Sequence, residues 1–295
     1  MKAIAALAIV VISAATAGCR PDTVQSAQPA TASPLNPHSA QQLVDTIAAR
    51  ATSLGPAAPP GDPVRYRTIE YSAVVANPGA PGSFTAFVRV ARTRTIQPSS
   101  AASIDTFPDG PPAFTTRADR ARWQAAGSPP LAPGPSGGSL LSLPAGQFSF
   151  IPQGSTLTYQ QARSLPATPR ALSIQLLSHL RAFAGPRPPA NLVLRQLGYL
   201  IAAAPLTSAA RAAAWRVLAA LPGLHLCGSG TDLAHRRGQE LCVGSAGERT
   251  EILVSTASGS VLAVEDRLLR PDRMYPLVPS GSVVSSATFL SPRES

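Results

Sequence analysis

The chain has 295 residues, 44% of them hydrophobic and only 14% charged, with a formal charge of +10 and a mean hydropathy of +0.10. That composition supports a buried core and excludes a wholly disordered chain, while 31 Pro and 22 Gly point to linkers and loops. Lys2 is the only lysine, and the arginines are scattered, with no five-residue basic run and no basic–aromatic stripe, which argues against a nucleic-acid partner. Coding bias accounts for such arginine; its functional alternative is attraction to an anionic surface.

The first element is a leader. Met1-Lys2 and the apolar stretch Ala3 to Ala15 have the length of a signal peptide and are too short for a comfortable membrane span. Two cuts compete. Ala15-Thr16-Ala17 is an A-x-A site, whereas Thr16-Ala17-Gly18-Cys19 resembles a bacterial lipobox, from which Thr16 departs because an aliphatic residue usually stands three before the cysteine. The stretch after Cys19, "RPDTVQSAQPATASPLNPHS", cannot bury a core and reads as a tether, which favours lipidation of Cys19. The expected organisation is a signal peptide over 1–18, a tether over 19–38, a short helix and Pro-rich connector over 39–62, and one domain over 63–291.

Within that plan, "HSAQQLVDTIAARATSLG" spaces Leu43, Ile47 and Leu54 for a helix that Ser39 caps and Gly55 stops. "VRYRTIEYSAVVA" and "SFTAFVRVARTRTI" predict a long hairpin around Asn77–Gly82, with Phe84, Ala86, Val88 and Val90 alternating against Thr85, Phe87 and Arg89. In 97–149 only "ADRARWQAAG" predicts a helical turn, anchored by Trp123. Residues 159–221 predict helices. Thr168-Pro169 opens one with Leu172, Leu176, Leu180 and Phe183 on its inner face. "NLVLRQLGYLIAAAP" is apolar nearly all round and therefore buried. The third starts at Thr207 or Ser208 and turns Ala210, Ala213, Val217, Leu218 and Leu221 inward.

The last third returns to strands: "GLHLCGS" and "QELCVG", "TEILVST" and "SVLAVEDRLL", and a final "SGSVVSSATFL". Strands, helices, then strands joined as hairpins predict an α+β fold with one antiparallel sheet. Cys227 and Cys242 fall on facing strands, which in an exported chain suggests a disulfide. A turn near His235 pairs them, whereas one centred on Arg236-Arg237 offsets them by about two residues. His225, Cys227, His235 and Cys242 also make a Cys2His2 set, but without the C-x2-C or H-x3-H spacing of zinc knuckles, so no metal is expected. G-x-S-x-G, H-E-x-x-H, Walker A and G-x-G-x-x-G motifs are all missing, so neither catalytic residues nor a cofactor are expected.

The run of "ADRARWQAAGSPPL", "LTYQQARSLPATPRAL", "AARAAAWRVLAALPGLHLCG", a hairpin around "TD" and a closing "SGSVVSSATFL" resembles an uncharacterised family of actinobacterial membrane-anchored proteins. Its members are often encoded beside extracytoplasmic-function sigma factor genes. The resemblance spans roughly 64–290 and is most specific over 117–290. It implies a layout similar to the lipoprotein-carrier fold: a curved antiparallel half-barrel wrapped over about three consecutive helices around an apolar concavity. Family members more often start with a membrane helix; here a lipoprotein-like leader takes its place. Three function classes follow: a non-catalytic, lipid-anchored module on the extracytoplasmic face of the cell membrane that binds an apolar ligand; an interaction or sensor domain for an envelope protein; and a hydrolase. They differ in needing, respectively, an apolar pocket, an exposed apolar patch, and a cleft holding nucleophile, base and oxyanion donors.

Overall fold

A computed structural model describes residues 39–53, 59, 61–76, 82–131, 139–152, 155–272, 275 and 278–290. The signal peptide, Cys19 and the tether lie outside the described residues, as do Leu54, Gly55 and most of the turn at 77–82.

Ten strands and six helices are found among the described residues. In chain order they are α1 (Ala40–Ser53), β1 (Val64–Ala76), β2 (Phe84–Ile96), β3 (Ala102–Pro108), β4 (Ala113–Phe114), α2 (Arg117–Ala125), β5 (Ser139–Leu143), α3 (Tyr159–Arg163), α4 (Pro169–Ala184), α5 (Ala190–Ala203), α6 (Ser208–Ala219), β6 (His225–Thr231), β7 (Arg237–Gly244), β8 (Glu248–Val254), β9 (Val261–Leu268) and β10 (Val283–Leu290). The fold is α+β with one large, open, antiparallel sheet in the order β5-β3-β2-β1-β10-β9-β8-β7-β6, and β4 pairs with β2 off that path. Two meanders therefore meet only where β1 pairs with β10, from Arg67 opposite Leu290 to Ser72 opposite Ser285.

The helices begin where local chemistry places them. Ser39 Oγ accepts from the Gln42 amide at 3.1 Å, satisfying an orphan donor of α1, and Thr207 does the same for Ala210 at the start of α6. Thr158 and Gln161 form a reciprocal capping box on α3. Thr168 precedes Pro169 without a side-chain cap bond, so the fixed proline φ alone sets the entry to α4.

α5 lies on β7, β8 and β9, α6 packs on α5, and both α1 and α4 pack on α6. Ten of the fourteen α5 residues are buried, as expected of a helix that is apolar all round. Gly198 is what lets it sit so close to the sheet: a Cβ there would lie 2.6 Å from Val264 Cγ2 and 3.0 Å from Ile252 Cδ1. Leu43, Val44, Ile47, Ala48 and Ala51 of α1 enter the same core, so α1 is integral to the domain and only the Pro-rich connector separates it from β1.

Two expectations about facing are corrected. Phe183 is not on the inner face of α4 but 61% exposed, because the stripe ends at Leu180 and the last turn outruns its partners. On β2 both alternating sets are buried from Phe84 to Val88, because the second sheet face carries its own cluster of Phe87, Leu268, Val278 and Val284. Tyr71 stacks on Phe87 there, ring centroids 5.2 Å apart.

Candidate functional site

Cys227 and Cys242 are joined as a disulfide, Cα atoms 6.1 Å apart. The turn closes over 232–236, with the Asp232 carboxylate accepting from the Ala234 and Arg236 amides and His235 in the left-handed region at φ 62°. His225, rather than Cys227, stands opposite Cys242, and the ladder slips between Leu226 and Gly228. Cys227 is the extra residue of that bulge, which brings it to its diagonal neighbour. Both thiols are thus consumed; His225 bonds through Nδ1 to the Gly223 carbonyl oxygen and His235 is exposed, so the four residues of the Cys2His2 set are not gathered round a common point.

The sequence reading missed a serine–histidine pair, in which Ser155 Oγ and His179 Nδ1 share a hydrogen bond of 2.6 Å. Burial pushes the imidazole pKa down, and the Ser155 backbone partly offsets that. Among the described residues no carboxylate hydrogen-bonds to His179 to orient it as the third member of a triad would.

Beside β1, β2 and β10, with Tyr199 of α5 on its wall, lies a cleft of about 320 Å³ whose lining is mixed, Glu70, Arg92 and Ser286 standing among Val74, Val88 and Val90. Glu70 pairs there with Arg92, and with Arg94 at 2.5 Å, while Thr68 Oγ1 donates to Glu70 at 3.0 Å. Burial raises the Glu70 carboxyl, but Arg94 and Arg92 outweigh it and hold the group below the usual carboxylate range. Burial pushes the neighbouring Tyr66 hydroxyl up to about 12, with Arg94 opposing, and the Arg94 guanidinium lies over its ring, 5.6 Å from the centroid. A second ionic group, Arg195 with Asp266 at 2.7 Å and Glu248 at 3.1 Å, extends this polar seam.

A more apolar space lies among the helices. A groove of about 490 Å³ runs between α4, the start of α5 and the end of α6, walled by Leu176, Leu177, Val193, Val217 and Leu221 and by prolines at each end. Its volume is that of a small-molecule site. Arg170 and Arg216 stand on its lining, both exposed, and neither has an ion-pair partner among the described residues.

That lack has its cause in the order of charges along the chain. Residues 120–231 hold nine arginines and no aspartate or glutamate. Every arginine of α4, α5 and α6 must therefore find its counter-charge outside that run, and among the described residues Arg195 alone of them pairs with strand carboxylates. No helix among the described residues is long and apolar enough to cross a membrane. No protein-family model, no curated protein and no solved structure matches this chain.

Proposed function

We propose that the protein is an exported, lipid-anchored binding module of the cell envelope that holds the chain of an anionic amphiphile in the groove between α4, α5 and α6. The observation that carries this reading is an apolar groove with two unpaired guanidinium groups on its lining. Apolar walls favour a hydrocarbon chain by about 25 cal/mol per Å² removed from water. Arg170 and Arg216 favour a carboxylate or phosphate head over a neutral one. The leader, Cys19 and the tether supply the anchor in this proposal, and the membrane is then both the partner and the source of the ligand. The finer reading of the sheet as a half-barrel over three helices, and the likeness to the actinobacterial membrane-anchored family, belong with it.

Calorimetric titration with laurate and with dodecanol tests the groove. Laurate should bind, A220W should abolish binding by filling the groove mouth, and R170Q/R216Q should weaken laurate while leaving dodecanol unchanged. Equal laurate binding by A220W and the parent would remove the groove from consideration. Mass spectrometry of the protein from its native membrane tests the anchor, which requires a diacylglyceryl mass on Cys19; a mature chain starting at Gly18 counts against it.

A second reading, an interaction domain, draws support from the sheet edge. β5 is a terminal strand whose Leu140 and Leu141 are 68% and 52% exposed, an unprotected apolar edge of the kind that pairs with another chain.

A further inference from the structure

At the opposite end of α6 from the groove, a smaller cavity of about 220 Å³ lies between α1, the end of α5 and the β8–β9 turn. Two of its lining groups are unusual. Trp215 is fully buried, and its indole N–H has no acceptor among the described residues. A buried indole N–H nearly always has a partner, because leaving it unpaired costs about 1–3 kcal/mol. The second is Arg211, whose Nε is buried without a partner and whose guanidinium makes no ion pair among the described residues.

The charge of Arg211 is the harder problem. Removing a cation from water costs several kcal/mol unless an anion faces it. Here burial pulls its pKa down, and no carboxylate among the described residues opposes that. The Pro-rich connector over 54–60 also carries no acid. Ser258 and Ser260 complete the lining, and Ser258 Oγ donates to Ser260 Oγ at 3.1 Å, which leaves the Ser260 hydroxyl hydrogen for another acceptor. The polar side chains thus offer a cation, an indole N–H and a hydroxyl, all donors. A metal ion is repelled by that set, and a neutral ligand leaves the charge uncompensated.

We propose that Arg211, Trp215 and Ser260 form an oxyanion-binding site that takes a carboxylate or phosphate group. The rest of the ligand has room beside it. The cavity adjoins a basin of about 580 Å³ with both apolar and polar walls, the two sharing Ala202, Ser258, Ser260 and Val261. Arg65 and Arg237 line that basin, both exposed and without ion-pair partners among the described residues, so further negative charge on the ligand is accommodated. The site shares no residue with the groove of the proposed function, and each stands or falls alone.

The chain has two tryptophans, so W123F leaves Trp215 as the only indole reporter. Titrating W123F with inorganic phosphate and, separately, with acetate, at ionic strength fixed with sodium chloride, should change Trp215 emission saturably. Whichever anion binds more tightly assigns the head-group class. R211Q in the W123F background should weaken that binding tenfold or more, since a hydrogen bond to a charged group contributes about 1.5–3 kcal/mol. Circular dichroism checks that R211Q is folded, and W215F, titrated calorimetrically with the same anion, gives an independent loss of affinity. The proposal is overturned if neither anion gives a saturable change, or if folded R211Q and W215F bind as tightly as the parent.

Discussion

Gly198→Ala is the sharpest test of how the helical layer is seated. In an isolated helix the change is favourable by about 0.8–1.0 kcal/mol, because alanine loses less backbone entropy than glycine. Here the new methyl would meet Val264 Cγ2 at 2.6 Å and Ile252 Cδ1 at 3.0 Å, against the 3.4 Å at which ordinary contact begins. The shortfall toward Val264 is 0.8 Å. Val264 and Ile252 are β-branched residues of the central sheet with stiff χ1 angles, so α5 must retreat rather than the side chains yield. Over-packing of this kind costs about 1–3 kcal/mol. A 0.8 Å shortfall against two stiff side chains belongs in the upper half of that range, about 2–3 kcal/mol, so the net expectation after the helix-propensity gain is a loss of about 1–2 kcal/mol, or about 3–6 °C in Tm for a domain of this size. Urea unfolding of G198A, V264A and the double variant supplies the assay. Because V264A removes the clashing methyl, the double variant should be more stable than the sum of the single effects by at least about 0.5 kcal/mol. A G198A protein as stable as the parent, or strict additivity in the cycle, would refute the close-approach argument.

Two further outcomes follow from other parts of the fold. Replacing both Cys227 and Cys242 by serine opens a loop with a sequence separation of 15 and should cost about 3 kcal/mol, read as a shift of the denaturant midpoint that adding a reducing agent to the parent reproduces. Glu70 carries a pH signature. Its carboxyl is held below the usual range by Arg94 and Arg92 against burial, so its contribution is fully present above the unfolded value and lost as pH falls through the folded one. The stability difference between the parent and E70Q should therefore shrink below about pH 4.5, and an unchanged difference down to pH 3 counts against the pairing. At neutral pH, E70A should cost about 3–5 kcal/mol, because the half-buried Arg92 and the largely buried Arg94 lose their shared counter-charge.

The strands and helices whose patterns are locally complete were legible in the sequence. β1, β2 and the five C-terminal strands follow β-branched runs bounded by turn residues, and α4, α5 and α6 follow their apolar stripes and Pro or Thr starts. β3 and β5 were not, since "ASIDTFP" mixes an acid and a proline into the pattern and "SLLSL" is too short to declare its period. β2 misled by alternation because its first half is covered on both faces. The cysteine pair was legible as a pair but not in register, since a bulge is set by backbone geometry rather than by residue type. Neither the groove nor the Arg211 cavity was visible, because each is assembled from segments far apart in the chain. The acid-free run over 120–231 is the sequence signal that points to unpaired cations, and it emerges only when charges are read by position and sign together.

The junction between β1 and β10 has a consequence for how the chain comes to be folded. β10, last in order among the described strands, is the middle one of the sheet, so the two halves are not joined until residues 283–290 are available. A polypeptide stopped short of Val283 would present the flanks of β1 and β9 as two bare ladders, one on each half. Completion therefore waits on the long-range pairing of β1 with β10, which slows folding. A chain with this order keeps its two halves apart until β10 arrives between them, and closes once.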